Sequence, residues 1–171
     1  LPGGAMGGEA RVPGDKSISH RSIMLGALAN GTTRVKGFLE GEDALATLAA
    51  FRAMGVHIEG PEHGNVTVHG VGLHGLTAPA DALDLGNAGT GMRLICGLLA
   101  GQTFDAELTG DASLCSRPMG RVIDPLTMMG ASIQSAEGGR PPLAIRGGQK
   151  LRSIHYELPM ASAQVKSCVL L

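Results

Sequence analysis

Two stretches of this chain recur at nearly constant spacing, and that recurrence limits what it can fold into. Leu25-Gly26-Ala27-Leu28-Ala29 returns in kind as Cys96-Gly97-Leu98-Leu99-Ala100, an offset of 71 from Gly26 to Gly97. Arg52-Ala53-Met54-Gly55-Val56-His57-Ile58 returns as Thr127-Met128-Met129-Gly130-Ala131-Ser132-Ile133, an offset of 75 from Gly55 to Gly130. A repeat of that size is a supersecondary unit copied in tandem.

The unit reads helix, strand, helix, strand, strand. A helix over 19–29 ends at Asn30-Gly31, as a left-handed cap would end it. A strand over 32–37 follows. Asp43–Met54 carries a helical stripe of Leu45, Leu48, Ala49 and Phe51, closed by Gly55. Val56–Glu59 and Val66–His69 alternate as strands, with 60–64 as the hairpin between them. The second copy has a helix over 92–100 and a strand over 106–110. Its next helix has Pro118 in the first turn, ends at Gly130 and is broken or kinked at Pro125. Strands over 131–134 and 142–146 complete it. A third copy begins with a strand over 153–158, a loop to Gln164 and a helix from Val165. The copies cover about 13–80, 82–150 and 153–171, parts of one globular domain in a mixed α/β (α+β) fold.

Hydrophobic residues make up 43% and charged residues 17%, a globular composition. The net charge of −1 argues against a broad nucleic-acid or membrane surface. Aromatics are 2%, with no Trp, so base-stacking platforms are disfavoured. Any anion site is therefore a local cluster. Cys96, Cys115 and Cys168 are odd in number and widely spaced, which reads as reduced thiols in the cytoplasm. No run of 18 apolar residues exists, and Leu1–Met6 is no signal peptide. The chain starts without Met and stops at Lys166–Leu171, inside an apolar helical run. The expectation is a piece of a longer polypeptide.

Each copy opens a helix with small polar or glycine residues: Lys16-Ser17-Ile18-Ser19, Asn87-Ala88-Gly89-Thr90 and Ser162-Ala163-Gln164. Helix starts carry unpaired amides and partial positive charge, and small residues let an anion approach them. Lys16, Arg21, Arg93 and Arg117 fall near these starts, which favours a convergent anion site. The bland alternative is that three helices need three caps, with Ser17 or Ser19 capping the first, and that the cations are solvated. Other motifs are missing. Asp15-Lys16-Ser17 lacks the P-loop glycines, and Gly86–Gly91 is GxxGxG rather than the dinucleotide-binding GxGxxG. No metal pattern or nucleophile elbow occurs. His57, His63, His69 and His74 fall in or beside the first hairpin and read as solvated.

At Asp15-Lys16-Ser17-Ile18-Ser19-His20-Arg21 and Gly86-Asn87-Ala88-Gly89-Thr90-Gly91-Met92-Arg93 the chain resembles the 5-enolpyruvylshikimate-3-phosphate (EPSP) synthase family. Arg117-Pro118-Met119-Gly120-Arg121 and Ser162-Ala163-Gln164-Val165-Lys166 also match, in the right order. The family is about two and a half times longer, so the resemblance covers most of one of its two globular halves. It implies an inside-out α/β prism of βαβαββ units, helices inside and sheets outside. It implies transfer of the enolpyruvyl group of phosphoenolpyruvate to the 5-hydroxyl of shikimate 3-phosphate, with no metal or organic cofactor. The implied partners are small anionic substrates and the second half of the same enzyme, not nucleic acid or membrane, in an otherwise monomeric protein.

By that resemblance Lys16 touches both substrates and has a catalytic role. Ser17, Arg21, Ser162, Ala163 and Gln164 hold shikimate 3-phosphate. Gly89, Arg117 and Gln164 line the phosphoenolpyruvate pocket, which Asn87, Thr90 and Arg93 shape. Glyphosate occupies that pocket in the family, and Gly89 leaves room for it. Leu94 stands where many relatives have Pro. The acid/base Asp and Glu of the family fall outside this sequence, so the chain alone is expected to bind but not to turn over. The alternatives are a UDP-N-acetylglucosamine enolpyruvyl transferase, which would carry a reactive loop cysteine where Cys115 is expected in a loop, and a non-catalytic phosphate-ligand binding module.

Overall fold

The computed structural model describes residues 7–9 and 12–171, and the Leu1–Met6 stretch lies outside them. Asp15 sits in extended backbone and its carboxylate accepts from the Ile18 amide at 2.7 Å, so α1 (Lys16–Leu28) starts there. The cap is Asp15, not Ser17 or Ser19. The Ser19 hydroxyl instead donates to the Asp15 carbonyl at 2.8 Å and accepts from the Leu39 amide at 2.9 Å. Extended Ala29 ends the helix, so Asn30-Gly31 is no helical cap but the start of β1 (Asn30–Lys36). The pairing of Asn30 with Val71 claims that backbone for the sheet.

After α2 (Glu42–Ala53) come β2 (His57–Glu62) and β3 (Asn65–Val71). They form an antiparallel sheet in the order β1-β3-β2. The hairpin turn is shorter than the glycines suggested, because 60–62 extend β2. The second sheet contains β4 (Leu83–Asp84), β5 (Ala106–Thr109), β6 (Ser132–Ala136) and β7 (Arg140–Arg146), in the order β4-β5-β7-β6. Only β4–β5 is parallel. Thus β5-β7-β6 repeats the strand order of β1-β3-β2.

Between these strands lie α3 (Gly89–Ala100), α4 (Ala112–Cys115) and α5 (Gly120–Met129), with α6 (Ala163–Leu170) last. Neither β4 nor α4 was legible in the sequence. Asp111 makes α4 by accepting from the Leu114 amide at 2.7 Å, which places Cys115 at a helix end and not in an open loop. Helix α5 runs through Pro125 rather than breaking there. The ring forfeits one helical hydrogen bond, but Pro125 is itself buried beside Val122 and Leu126. Residues 153–158 form no strand. Among the described residues no backbone pairs with them, and an alternating pattern without a partner makes no ladder.

Helix α3 is the centre of the assembly. Ten of its twelve residues are buried, as expected of a helix that is apolar all round. It packs against α1, α2, α5 and α6, while the sheets put Ile58, Val66, Val68, Leu108, Leu143 and Ile145 inward. No helix among the described residues is long and apolar enough to cross a membrane.

The contact with α6 has no slack. A Cβ on Gly97 would fall 1.9 Å from the Cys168 carbonyl oxygen, a backbone atom that can yield only if α6 moves. Gly97→Ala is expected to lower stability by about 2 kcal/mol or more, the upper part of the range for overpacking. Denaturant unfolding of the two proteins checks this. Ala at Leu25, an exposed position on α1, should change stability by less than about 0.5 kcal/mol.

Candidate functional site

Helix α3 ends in the interior, so its N-terminus is presented from a largely apolar body. Two arginine side chains meet there, with the charge of Arg121 close by. Arg93, one turn into α3, donates to the Gly89 carbonyl at 3.2 Å. Arg117, in the segment between α4 and α5, donates to the Asn87 side-chain oxygen and to the Ser113 hydroxyl, the latter at 3.0 Å. The Asn87 amide in turn donates to the Asp111 carboxylate at 2.8 Å, so the cap of α4 also aims Arg117. A Cβ built on Gly89 would lie 3.1 Å from an Nη1 of both arginines. The two guanidinium groups therefore meet over the first residue of this helix, which has no side chain.

This convergence carries a charge penalty. Burial lowers the Arg93 pKa from its ordinary value, and the neighbouring charges of Arg117 and Arg121 lower it further. Among the described residues, none of Arg21, Arg93, Arg117 and Arg121 forms an ion pair with a carboxylate. Clustered, partly buried cations at a positive helix end are relieved by an anion. A carboxylate or phosphate held there would gain two guanidinium groups and the positive end of the α3 dipole.

The other expected site residues divide. Gln164, in the first turn of α6, donates to the Thr90 hydroxyl at 2.9 Å and ties that helix start to α3. Arg21 reaches across from α1 to the Ser167 hydroxyl on α6 at 2.8 Å. Ser162 caps α6, its oxygen accepting from the Val165 amide at 3.3 Å, while Ala163 is exposed at the first helical position. Ser17 is exposed on the first turn of α1. Lys16 does not join the arginines. Its ammonium pairs with Asp43 on the first turn of α2. An incoming anion would have to draw it from that carboxylate. The Asp43 partner was not read from sequence, although an acidic first turn on the second helix was there to be noticed.

His20 was also passed over as part of a motif. It is fully buried, with Nδ1 2.8 Å from the Thr47 hydroxyl. That hydroxyl donates to the Asp43 carbonyl at 3.4 Å, so it accepts from His20, which makes the ring the neutral Nδ1–H tautomer. Nε2 has no partner. Burial lowers the pKa, with smaller opposing and reinforcing effects from Asp43, Lys16 and Arg21. Protonation would bury both a charge and an unpaired donor. Cys115 donates to the Gly110 carbonyl at 3.3 Å. Burial raises the Cys96 thiol pKa strongly and pushes that of Cys168 up to about 12, which leaves both inert.

The model of the EPSP synthase (3-phosphoshikimate 1-carboxyvinyltransferase) family matches residues 2–171. A relative from Alkalilimnicola ehrlichii, named 3-phosphoshikimate 1-carboxyvinyltransferase, is 72% identical over 170 residues, 99% of this chain and 38% of its own. A relative of the same name from Methylococcus capsulatus is 66% identical over 99% of this chain and 39% of its own. A solved EPSP synthase from Acinetobacter baumannii superposes with a TM-score of 0.93 at 66% identity, over 95% of this chain and 37% of that one. The chain thus spans about 38% of the length of the curated relatives it matches.

Because the folded pKa of His20 lies below the unfolded value of about 6.5, the unfolded state binds more protons at mildly acid pH. The His20 contribution to stability is complete above about pH 6.5 and is lost as pH falls through the folded pKa. Urea unfolding at several pH values should show stability declining below pH 6.5, and His20→Gln should flatten that decline. Equal slopes in the two proteins would contradict the burial of a neutral His20 ring.

Proposed function

The chain belongs to the EPSP synthase family, and on that premise we propose that it forms part of the substrate cleft of a 3-phosphoshikimate 1-carboxyvinyltransferase. The observation that carries this reading is the meeting of Arg93 and Arg117 over Gly89 at the start of α3. Both substrates of the reaction are polyanions. Fixed cations and helix ends can orient them and stabilise charge that develops as the enolpyruvyl group passes to the 5-hydroxyl of shikimate 3-phosphate and phosphate leaves. Addition and elimination through a tetrahedral intermediate ask for proton transfer as well, and the carboxylates for that step belong to the part of the family outside the matched span.

The roles divide by position. Arg117 and the helix end at Gly89 take phosphoenolpyruvate, with Arg93, Asn87 and Thr90 setting the shape of the pocket. Arg21, Ser17, Ser162, Ala163 and Gln164 take shikimate 3-phosphate, Ala163 through its backbone amide. Gln164 bridges the two sets through Thr90. Lys16 exchanges Asp43 for substrate and serves both. The two buried, inert thiols fit a reducing cytoplasm. Nothing favours the UDP-N-acetylglucosamine transferase, since Cys115 is half-buried at a helix end and hydrogen-bonded.

Calorimetric titration of the 171-residue chain tests the reading. Shikimate 3-phosphate should bind and the nucleotide sugar should not. Arg21→Ala should weaken binding by about 10- to 150-fold, the equivalent of about 1.5–3 kcal/mol for a charge-assisted hydrogen bond. Turnover by this chain alone would overturn the division of labour. Heat with the nucleotide sugar instead would favour the rival transferase, and no heat with either would favour a structural domain.

Glyphosate gives a second test. In a polypeptide spanning the full length of the relatives, Gly89→Ala puts a methyl group 3.1 Å from both guanidinium groups. Displacing these guanidinium groups costs the ligand about 1.5–3 kcal/mol, the worth of a charge-assisted hydrogen bond, and should weaken glyphosate inhibition roughly tenfold or more and raise the KM for phosphoenolpyruvate. Unchanged inhibition constants would remove Gly89 from the pocket.

A further inference from the structure

Strands β2 and β3 place a second set of chemically capable side chains on one exposed sheet face. His57 and His69 are direct cross-strand partners. Glu59 lies two residues beyond His57 and so points to the same face. The Glu59 carboxylate stands 2.7 Å from Nε2 of His69 and 3.6 Å from Nε2 of His57. The imidazole centroids are 4.9 Å apart with their planes at 33°. One donor atom from each of the three side chains lies within 4.8 Å of the others, the only such cluster among the described residues. None of the three belongs to the anion site.

From this geometry we infer that His57, Glu59 and His69 form a surface site for a zinc-class divalent cation. Two imidazoles and a carboxylate are a donor set that Zn²⁺ accepts, leaving a fourth position for water. Ligand bonds near 2.0–2.1 Å put tetrahedral donors about 3.3 Å apart, so the three need only close by small side-chain rotations. Their exposure leaves those rotations free, and the paired strands hold the three Cβ atoms in place beneath them. His69 has an outer partner too, as Thr32 Oγ1 lies 3.4 Å from its Nδ1. With Nε2 on the metal, Nδ1–H donates to Thr32, the kind of orienting bond that ligating histidines use. The Glu59 carboxylate supplies the third, anionic oxygen donor. Mg²⁺ and Ca²⁺ prefer all-oxygen sites and are poorly served here. Bound metal bridges β2 to β3, and because the unfolded chain lacks the site, it stabilises the hairpin by mass action.

The test is titration of the metal-free 171-residue chain with ZnCl₂, followed by calorimetry and thermal melting, with MgCl₂ as the control. One Zn²⁺ per chain should bind and raise the melting temperature, and Mg²⁺ should do neither. His57→Ala and His69→Ala should each weaken Zn²⁺ binding by more than the roughly 10- to 100-fold that loss of an outer-shell partner costs. All three side chains are outside the core, so these variants should fold, and melting without metal verifies that. Co²⁺ absorption separates this site from the thiols: nitrogen and oxygen donors give visible bands without the near-ultraviolet charge-transfer band of thiolate. Absence of stoichiometric Zn²⁺ binding, unchanged affinity in the histidine variants, or a thiolate band would each overturn the assignment.

Discussion

The burial of α3 on all sides is the constraint from which the rest of the structure follows. A helix in that position cannot meet water along its length, so its partners must approach closely and its two ends must be handled separately. The C-terminal part is handled by packing: Gly97 lets the backbone of α6 come against it. The N-terminal end carries unpaired amides and partial positive charge. Instead of an aspartate cap like those on α1 and α4, it has Ala88, with no side chain to accept a hydrogen bond. Arg93 and Arg117 then add charge of the same sign. A helix end organised only for stability would place an acid there.

The electrostatics around that end are consistent with a site built from neighbours. Asp111 caps α4 and accepts from Asn87, Asn87 accepts from Arg117, and Arg117 arrives over Gly89. Gln164 joins α6 to Thr90, and Arg21 joins α1 to α6. The expected ligand residues thus come from α1, α3, α6 and the segment after α4, and α4, only four residues long, matters chiefly because its cap aims an arginine. Lys16 stands apart, paired with Asp43. Asp43 also lies behind His20 through Thr47, so charge at Lys16 and the buried ring are coupled through one short stretch of α2.

Much of this was legible because it rests on pattern. The offset between Gly26 and Gly97 marks equivalent helices, and the Leu45–Phe51 stripe marks α2. What was not legible rests on partners distant in sequence. Residues 153–158 alternate like a strand but find no backbone to pair with among the described residues. Asn30-Gly31 looks like a helix stop, yet Val71 claims it for a sheet. Pro125 should interrupt α5, but the packing of its own ring and of Val122 and Leu126 outweighs one missing hydrogen bond. His57 and His69 read as solvated singly, since only the β2–β3 register makes them neighbours of one carboxylate.

Three glycines of α3 show why composition alone could not separate packing from function. Each lacks a side chain for a different neighbour. At Gly97 the neighbour is a backbone carbonyl, which can yield only by moving a helix. At Gly91 it is the Thr47 hydroxyl, 2.6 Å from where a Cβ would sit, so that residue guards the contact between α3 and the His20–Thr47 pair. At Gly89 the neighbours are the ends of two long, flexible arginines. Those side chains could move away, so stability places the weakest demand for glycine there. A glycine that the fold does not require, beneath two cations without carboxylate partners among the described residues, is best explained by something that must fit between them. That argues for assigning the start of α3 to ligand binding and the rest of the helix to the fold.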